Sequence, residues 1–254
     1  MAKAGSTVHL SATATATLLL LLATAANGVH PDFFMTIVNN CPYTIYPAIQ
    51  PNAGYPVLEN GGFMLEPLSH RSFPGPKTHW SGRIWPRTGC AHSGGSFHCL
   101  TGDCGGRVEC NGHGGATPFG MAEFSLNHGN ENRISSYGVS LVDGFNVPMT
   151  VTPHEGQGKC PVLGCKVDLV EKCPPKLSYR FRGRVVACMS GCVAFNTDEL
   201  CCRDKFSLPG KCLPSEYSRF FKHYCPDTVT YPHDSPSLMH DCSEPRELKI
   251  IYCH

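Results

Sequence analysis

The sequence predicts an all-β core, an antiparallel sandwich or barrel, into which two disulfide-rich lobes are inserted. Three observations support this fold class. Short runs of β-branched and aromatic residues alternate with turn residues, the chain holds 26 glycines and 21 prolines, and it holds 16 cysteines. Only 16% of the 254 residues are charged, which argues against a coiled coil or a helical repeat. With 41% hydrophobic residues and a formal net charge of +1, the chain is also too apolar and too neutral to be disordered.

The amino terminus has the order of a secretory signal peptide. Lys3 lies in the positive n-region, the leucine run 18–22 forms the apolar h-region, and small residues follow it. The apolar run is far shorter than the roughly 20 residues that span a bilayer. We therefore predict that residues 1–26 are removed and that residues 27–254 form one secreted, extracellular unit with no integral membrane association.

Seven candidate strands follow along the mature chain. The first two, Phe33–Val38 and Tyr43–Ile49, flank an Asn/Pro cluster at positions 39–42 and predict a β-hairpin. The remaining five candidates are Arg83–Trp85, Ala122–Leu126, Tyr137–Val142, Val147–Val151 and Glu247–Tyr252. Gly, Pro and Asn separate these runs, as is typical of an antiparallel β fold.

Two stretches interrupt this pattern of strands. Residues 89–112 hold four cysteines and are rich in glycine, so they lack the apolar mass for a core of their own. Residues 159–225 hold nine cysteines and a helical signal at Ser215–Lys222, where Tyr217, Phe220 and Phe221 share one face. We therefore predict a small looped lobe and a helical, disulfide-rich lobe over these two ranges. The β core is then formed by residues 29–88, 113–158 and 226–254.

The motifs of most catalytic and binding classes are missing. No basic excess marks a nucleic-acid-binding surface. No Cys-x-x-Cys pair occurs, so we expect no metal site and no cofactor. An even number of cysteines behind a signal peptide also leaves no thiol that must be free, which argues against a cysteine nucleophile.

One cysteine-rich stretch matches a known signature. It reads Gly95-Ser96-Phe97-His98-Cys99-Leu100-Thr101-Gly102-Asp103-Cys104-Gly105-Gly106 and ends at Cys110, and it closely resembles the signature of the thaumatin-like proteins. These are plant defence proteins, also called family five of the pathogenesis-related proteins. Further landmarks of the family follow in order at Gly82–Trp85, Ala122–Asn127, Gly144–Met149, Tyr217–Lys222 and Tyr252–Cys253. The resemblance covers essentially the whole mature chain.

The resemblance implies both the architecture and the disulfide pairing. The expected fold is a flattened antiparallel β-sandwich with two inserted disulfide-rich lobes, one of which contains short helices. The implied pairs are Cys41–Cys253, Cys90–Cys99, Cys104–Cys110, Cys160–Cys242, Cys165–Cys225, Cys173–Cys188, Cys192–Cys201 and Cys202–Cys212. On its own, the spacing of 16 cysteines leaves the pairing open.

The resemblance also implies a functional site. Thaumatin-like proteins carry a surface cleft lined by one Arg, one Glu and three Asp, associated with antifungal action and β-1,3-glucan binding. The Arg matches Arg83, the Glu matches Glu123, and one Asp matches Asp143. The alternative is that these three residues form a buried ion-pair network that holds strands together.

Two of the cleft carboxylates do not match. Gly138 and Ser235 stand at two of the family's Asp positions, although Asp234 precedes Ser235 and is kept as a candidate cleft residue. Glycoside hydrolysis needs one protonated and one ionised carboxyl group. Losing neighbouring carboxylates weakens the coupling that keeps an acid protonated, and we expect Arg83 to favour the ionised form of the two that remain.

These observations leave three classes of function. We expect first a secreted, antifungal, glycan-binding defence protein. The second class is an enzyme, at most a weak endo-β-1,3-glucanase that uses Glu123 and Asp143. The third class is a non-catalytic, stress-induced structural or inhibitor-like protein. The expected partner is β-1,3-glucan or another fungal cell-wall polysaccharide, and the expected setting is the apoplast, where the protein is a monomer.

Acidic wall polymers are a further expected partner. Removal of residues 1–26 takes away Lys3 and no acidic residue, which leaves equal numbers of basic and acidic side chains. The mature chain keeps twelve of the thirteen histidines. Because histidine titrates near pH ~6.5, the protein should become positive in acidic wall fluid and should bind acidic polymers less well as salt is added.

Overall fold

A computed structural model describes residues 1–2, 33–129, 133–234 and 239–254. Asp32–His254 forms one compact unit. The predicted signal peptide, residues 1–26, lies almost wholly outside the described residues. No helix in the described part of the chain is long and apolar enough to span a bilayer.

Strands dominate the described residues. The strands, in chain order, are β1 Phe34–Asn39, β2 Tyr46–Pro51, β3 Ser69–Pro74, β4 Trp80–Arg87, β5 Ala91–Ser93, β6 Ser96–His98, β7 Met121–His128, β8 Ile134–Ser140, β9 Met149–His154, β10 Leu163–Cys165, β11 Ser178–Phe181, β12 Arg184–Cys188, β13 His240–Ser243 and β14 Glu247–Tyr252. The α-helices are α1 Leu169–Lys172, α2 Gly191–Phe195, α3 Asp198–Cys201 and α4 Glu216–Tyr224.

The strands build two five-stranded sheets. The first sheet has the order β10-β9-β14-β1-β3, and the second has the order β13-β8-β7-β4-β2. All pairs are antiparallel except one, because β1 and β14 run parallel side by side. Apolar side chains from both sheets share one core, so the architecture is a β-sandwich. Alternation along β14 shows this clearly, since Leu248, Ile250 and Tyr252 are fully buried.

The predicted hairpin between the first two strands is wrong. Strand β1 pairs with β14 and β3 in the first sheet, whereas β2 pairs with β4 in the second. The Asn/Pro cluster between them therefore carries the chain from one sheet to the other. The Asn39 side chain stabilises this crossing, because its amide nitrogen donates to the carbonyl oxygens of Tyr43, Leu65 and Glu66 at 2.9, 3.1 and 2.9 Å. Local sequence shows a turn here but cannot show which strand becomes the partner.

Eight disulfides join all sixteen cysteines, and they are the same eight pairs that the resemblance implies. Cys41–Cys253 has a sequence separation of 212 and joins the residues just after β1 and β14. Cys160–Cys242 joins the segment before β10 to β13, and Cys165–Cys225 joins β10 to the end of α4, with separations of 82 and 60. The remaining five bridges close short loops.

The small lobe covers part of the outer face of the second sheet. Trp85 on β4 is fully buried, stacks on Phe119 with ring centroids 5.3 Å apart and donates to the Gly102 carbonyl at 2.9 Å. Because this lobe covers one end of β4, the strand is buried on both faces from Ile84 to Arg87. The other end of β4 keeps an open outer face.

The signature stretch itself has a structural role. The Asp103 carboxylate accepts hydrogen bonds from the backbone nitrogens of Cys99, Gly105 and Gly106 at 2.9, 3.0 and 2.8 Å. Gly105 and Gly106 have φ values of 80° and 71°, in the region that favours glycine. The motif therefore holds the loop between two short disulfides in shape.

The second lobe contains all four α-helices and the β11–β12 hairpin. The helix predicted at Ser215–Lys222 is α4, which begins one residue later and extends to Tyr224. Ser215 is its N-cap, since the Ser215 hydroxyl accepts from the Ser218 backbone nitrogen at 3.1 Å. Phe221 on this helix is fully buried in the core.

Candidate functional site

The second sheet brings the predicted Arg and Glu together. Arg83 on β4 lies directly opposite Glu123 on β7. Residues that oppose each other across an antiparallel pair point to the same face, with Cβ atoms roughly 5 Å apart. Both side chains are half-buried on the outer face, beyond the part that the small lobe covers.

Asp143 reaches this site from the turn that follows β8. The turn is closed by a hydrogen bond from the Gly144 nitrogen to the Leu141 oxygen at 3.1 Å, and the Phe119 nitrogen donates to the Asp143 carbonyl at 3.2 Å. Gly144 has φ +109°, and a Cβ there would lie 2.7 Å from the Cys188 carbonyl oxygen. Only glycine fits this position, so it determines the path of the chain beside Asp143.

Gly138 occupies the place directly opposite Glu123 on the other side. Strand β7 lies between β4 and β8. Glu123 on β7 therefore has Arg83 on one side, on β4, and Gly138 on the other side, on β8. An Asp at position 138 would have had its Cβ roughly 5 Å from that of Glu123. The departure from the family pattern therefore removes the carboxylate nearest to Glu123 on this strand.

The alternative of a buried ion-pair network is not supported. In the described part of the chain, no ion pair within 4.0 Å joins Arg83 to Glu123 or Asp143. The Arg83 guanidinium instead donates from Nη2 to the Asn52 side-chain oxygen at 3.2 Å. Arg83 and the two carboxyl groups therefore interact at longer range and keep hydrogen-bonding capacity for a ligand.

Burial outweighs Arg83 in its effect on the pKa of the two carboxyl groups. Burial raises the pKa of Glu123, the nearby Arg83 lowers it by less, and Asp143 adds a small further increase. Burial likewise raises the pKa of Asp143 against the opposing effect of Arg83. Arg83 does favour the ionised forms, as expected, but burial has the larger effect, so the net pKa of both groups is raised. The loss of hydration outweighs an attraction that acts without direct contact.

The raised pKa of Glu123 predicts how the free energy of unfolding depends on pH. A carboxyl group with a raised pKa in the folded state binds protons more tightly there than in the unfolded chain, so its contribution to stability falls as pH rises through that window. Replacing Glu123 by Gln should therefore stabilise the protein at pH 7, by on the order of a few tenths of a kcal/mol, and not below pH ~4.

Urea unfolding at both pH values measures this effect. Glu199→Gln is the matched control, because the Glu199 side chain is exposed on the second lobe. A loss of stability at pH 7 in Glu123→Gln alone would show that the attraction of Arg83 dominates after all.

The other two predicted cleft positions are in a different situation. The Asp234 carboxylate forms an ion pair with the Lys222 ammonium at 2.6 Å and accepts from the Thr230 nitrogen and hydroxyl at 2.9 Å each. Asp234 therefore holds the segment that follows α4 against α4. Its role in ligand binding stays a prediction. Ser235 lies outside the described residues.

Sequence reasoning missed two residues that lie beside Arg83, of which Asn52 hydrogen-bonds to it. Gln50 on β2 lies directly opposite Arg83, and its side-chain nitrogen donates to the Gly112 carbonyl at 3.2 Å. Asn52 accepts from Arg83 and donates from Nδ2 to the Ser81 hydroxyl at 2.8 Å. No local motif marks either residue, because only the pairing of β2 with β4 brings them to the site.

Together, the fold and this site define a β-sandwich protein cross-linked by disulfides. Its site has a guanidinium and a carboxyl group on an open sheet face and a second carboxyl group on the adjoining turn, and burial raises the pKa of both carboxyl groups. A family model described as the Thaumatin family matches residues 39–254. The chain belongs to this family, which includes osmotin-like and pathogenesis-related defence proteins of plants.

Three relatives illustrate the similarity. An osmotin-like protein of Solanum lycopersicum is 61% identical over 240 residues, covering 93% of this chain and 95% of the relative. Pathogenesis-related protein 5 of Arabidopsis thaliana is 42% identical over 237 residues, covering 93% and 96%. A protein of Prunus avium named glucan endo-1,3-beta-glucosidase is 38% identical over 218 residues, covering 85% and 88%.

Proposed function

We propose that this protein is an antifungal defence protein that binds β-1,3-glucan through Arg83, Glu123 and Asp143. The observation that carries the proposal is that Arg83 and Glu123 share an open sheet face, with Asp143 on the adjoining turn close enough to interact electrostatically with both. In the described residues, no ion pair within 4.0 Å joins Arg83 to either carboxyl group. A guanidinium donates and carboxyl groups accept, which matches the alternating hydroxyl groups of a sugar. Half-burial removes competing water and strengthens such hydrogen bonds.

Binding without efficient hydrolysis is the form of this function that the electrostatics favour. A glycosidase needs two carboxyl groups whose environments push their pKa values apart, so that one is the acid and the other the nucleophile or base. Here burial raises the pKa of both Glu123 and Asp143. Gly138 offers no further carboxylate to separate them.

A weak endo-β-1,3-glucanase is the second candidate. The raised pKa of Glu123 favours it, since Glu123 would act as the general acid and Asp143 as the nucleophile or base. The name of the Prunus avium relative supports this reaction class.

We also propose that the mature protein is a monomer secreted to the apoplast, with lobes at residues 89–112 and 159–225. Eight disulfides support an oxidising compartment. Acidic wall polymers are the second partner. All eleven histidines in the described ranges are at least partly exposed, which supports a more positive surface in acidic wall fluid.

A pull-down on insoluble β-1,3-glucan, run beside a reducing-sugar assay on laminarin, tests the binding function. We expect weak binding with negligible sugar release. Glu123→Gln should weaken binding about tenfold, because a charge-assisted hydrogen bond to a sugar hydroxyl is lost. Gly138→Asp should strengthen binding by restoring a carboxylate opposite Glu123. Glu199→Gln, on the second lobe, should bind like the wild type.

Two outcomes contradict the proposal. Robust sugar release that Glu123→Gln abolishes would make the protein a glucanase. Equal binding by the wild type, Glu123→Gln and Glu199→Gln, or no binding by any of them, would remove the site from glucan recognition.

A further inference from the structure

A cavity separate from the Arg83, Glu123 and Asp143 site has a volume of about 620 Å³ and lies where three chain segments meet. We call it the Tyr43 pocket. The first segment is the crossing between β1 and β2, the second is the small lobe, and the third is the second lobe. The lining residues on which the argument rests are Tyr43, Thr88, Leu100, Asp168, Arg184 and Val186. None of its lining residues belongs to the Arg83, Glu123 and Asp143 site.

Covalent and hydrogen-bonded links hold the walls of the Tyr43 pocket in place. The Cys90–Cys99 disulfide closes the small-lobe wall, and Cys173–Cys188 closes the second-lobe wall. The Thr88 hydroxyl hydrogen-bonds to the Thr101 hydroxyl at 2.7 Å. A cavity with braced walls is preorganised, so a ligand loses little affinity to ordering of the protein.

The size and lining of the Tyr43 pocket fit a small ligand. Its volume lies within the ~300–1,000 Å³ usual for ligand sites. Leu100 and Val186 contribute apolar surface, while Thr88, Asp168 and Arg184 contribute polar groups. Such a mixed lining matches a ligand that has both an apolar face and hydrogen-bonding groups.

The Asp168 carboxylate and the Tyr43 hydroxyl are two polar groups of the pocket that can hydrogen-bond to a ligand. The Asp168 side chain is the N-cap of α1, where its Oδ1 accepts from the Val170 nitrogen at 2.8 Å, and this fixes the carboxylate in place. The Tyr43 side chain is 44% exposed, which leaves part of its ring open to a ligand. Burial, and secondarily the charge of Asp168, raises the pKa of the Tyr43 phenol, so the hydroxyl stays a neutral donor.

The charges of the Tyr43 pocket decide between classes of ligand. Asp168 disfavours an anion and Arg184 disfavours a cation, because each would meet a like charge. A purely apolar ligand would cover Asp168 and Thr88 without giving them hydrogen-bonding partners, which is costly. A neutral sugar avoids all three penalties, since its C–H face can pack on an aromatic ring while its hydroxyl groups pair with charged side chains.

We propose that the Tyr43 pocket is a second carbohydrate site, which binds a neutral oligosaccharide with Tyr43 as the stacking platform. The proposal does not depend on glucan binding by Arg83, Glu123 and Asp143. If both sites bind the same insoluble polymer, their combined attachment is tighter than either alone.

Titration of the intact disulfide-bonded protein with three neutral trisaccharides tests this site. Laminaritriose, cellotriose and xylotriose are added to ¹⁵N-labelled Glu123→Gln protein, and backbone chemical shifts are followed by NMR. At least one of the three should shift the signals of residues 43–44, 88–100 and 168–186. Tyr43→Ala should bind that sugar about fivefold to tenfold more weakly, whereas Tyr43→Phe, which keeps the ring, should stay within about twofold.

Tyr179→Ala is the matched control, because Tyr179 is 37% exposed and does not line the pocket. It should leave affinity and shifts unchanged. The proposal is overturned if none of the three sugars shifts the pocket signals at millimolar concentration, or if Tyr43→Ala binds as tightly as Tyr179→Ala. Shifts confined to residues 83, 123 and 143 and their neighbours would likewise overturn it while leaving glucan binding at that site intact.

Discussion

Removing the Cys41–Cys253 disulfide by replacing both cysteines with alanine is expected to lower the free energy of unfolding by about 5 kcal/mol. The bridge has a sequence separation of 212 and ties the ends of β1 and β14, the one parallel pair of strands in the described residues. Without it, the unfolded chain gains the freedom to separate its ends. The native state meanwhile loses a cross-link at a fully buried position, since Cys41 is 0% exposed.

The other disulfides change this expected loss in the free energy of unfolding only slightly. Cys160–Cys242 persists in the unfolded chain and shortens the effective loop closed by Cys41–Cys253. However, closure entropy grows only with the logarithm of loop length, so a loop of half the length changes the result by only about 0.6 kcal/mol.

Urea unfolding of the variant, with the other seven bridges intact, measures this effect. The matched control is the double alanine variant of Cys90–Cys99, whose separation is 9. Loop entropy predicts a loss of about 2.6 kcal/mol for it. An equal loss for the two variants would show that loop length does not set the contribution of these bridges.

Replacing Arg87 by Met is expected to destabilise the protein by about 3 kcal/mol, because four carbonyl groups, all at least partly buried, would lose their donor. Arg87 is 0% exposed. Its guanidinium donates to the carbonyl oxygens of Tyr46, Arg107 and Val108 at 2.9, 2.5 and 2.6 Å, and more weakly to that of Pro47 at 3.4 Å. Burial lowers the pKa of Arg87 to about 10, with Asp103 acting against this, so the group stays charged at neutral pH. The side chain thus joins the small lobe to β2 and β4.

Arg87→Lys should be nearly as harmful, because an ammonium group cannot reach all four carbonyls. Arg107→Met is the matched control, since the Arg107 side chain is exposed and only its carbonyl takes part. Urea unfolding gives the stability, and amide exchange in residues 104–110 reports opening of the small lobe. A change within about 1 kcal/mol for Arg87→Met would show that water replaces the lost donor.

The small lobe also matters for the candidate site. Arg87, Trp85 and Arg83 project to the same face of β4, because alternate residues of a strand share a face. Loosening the lobe over Trp85 would therefore loosen the part of β4 next to Arg83 and disturb the position of its side chain. Glucan binding by Arg87→Met at a temperature where it remains folded reports this coupling.

The sequence by itself determined those features that depend on neighbours along the chain. The β-branched runs predicted strands that the structure confirms at β1, β4, β7 and β14, and Ser215 with its apolar face predicted α4. Likewise, the signature around Asp103 was sufficient to predict the family and, through it, the fold class. These signals persist in one sequence because periodicity and capping act over a few residues.

Only the tertiary structure decided which distant residues meet. It placed β1 beside β14 and not β2, set Gly138 opposite Glu123, and gave Arg87 its carbonyl partners. It also showed that burial raises the pKa of Glu123 despite Arg83, a balance that depends on how much water the folded surface excludes. Strand partners and burial are set by packing of the whole chain, and no local pattern of residues encodes them.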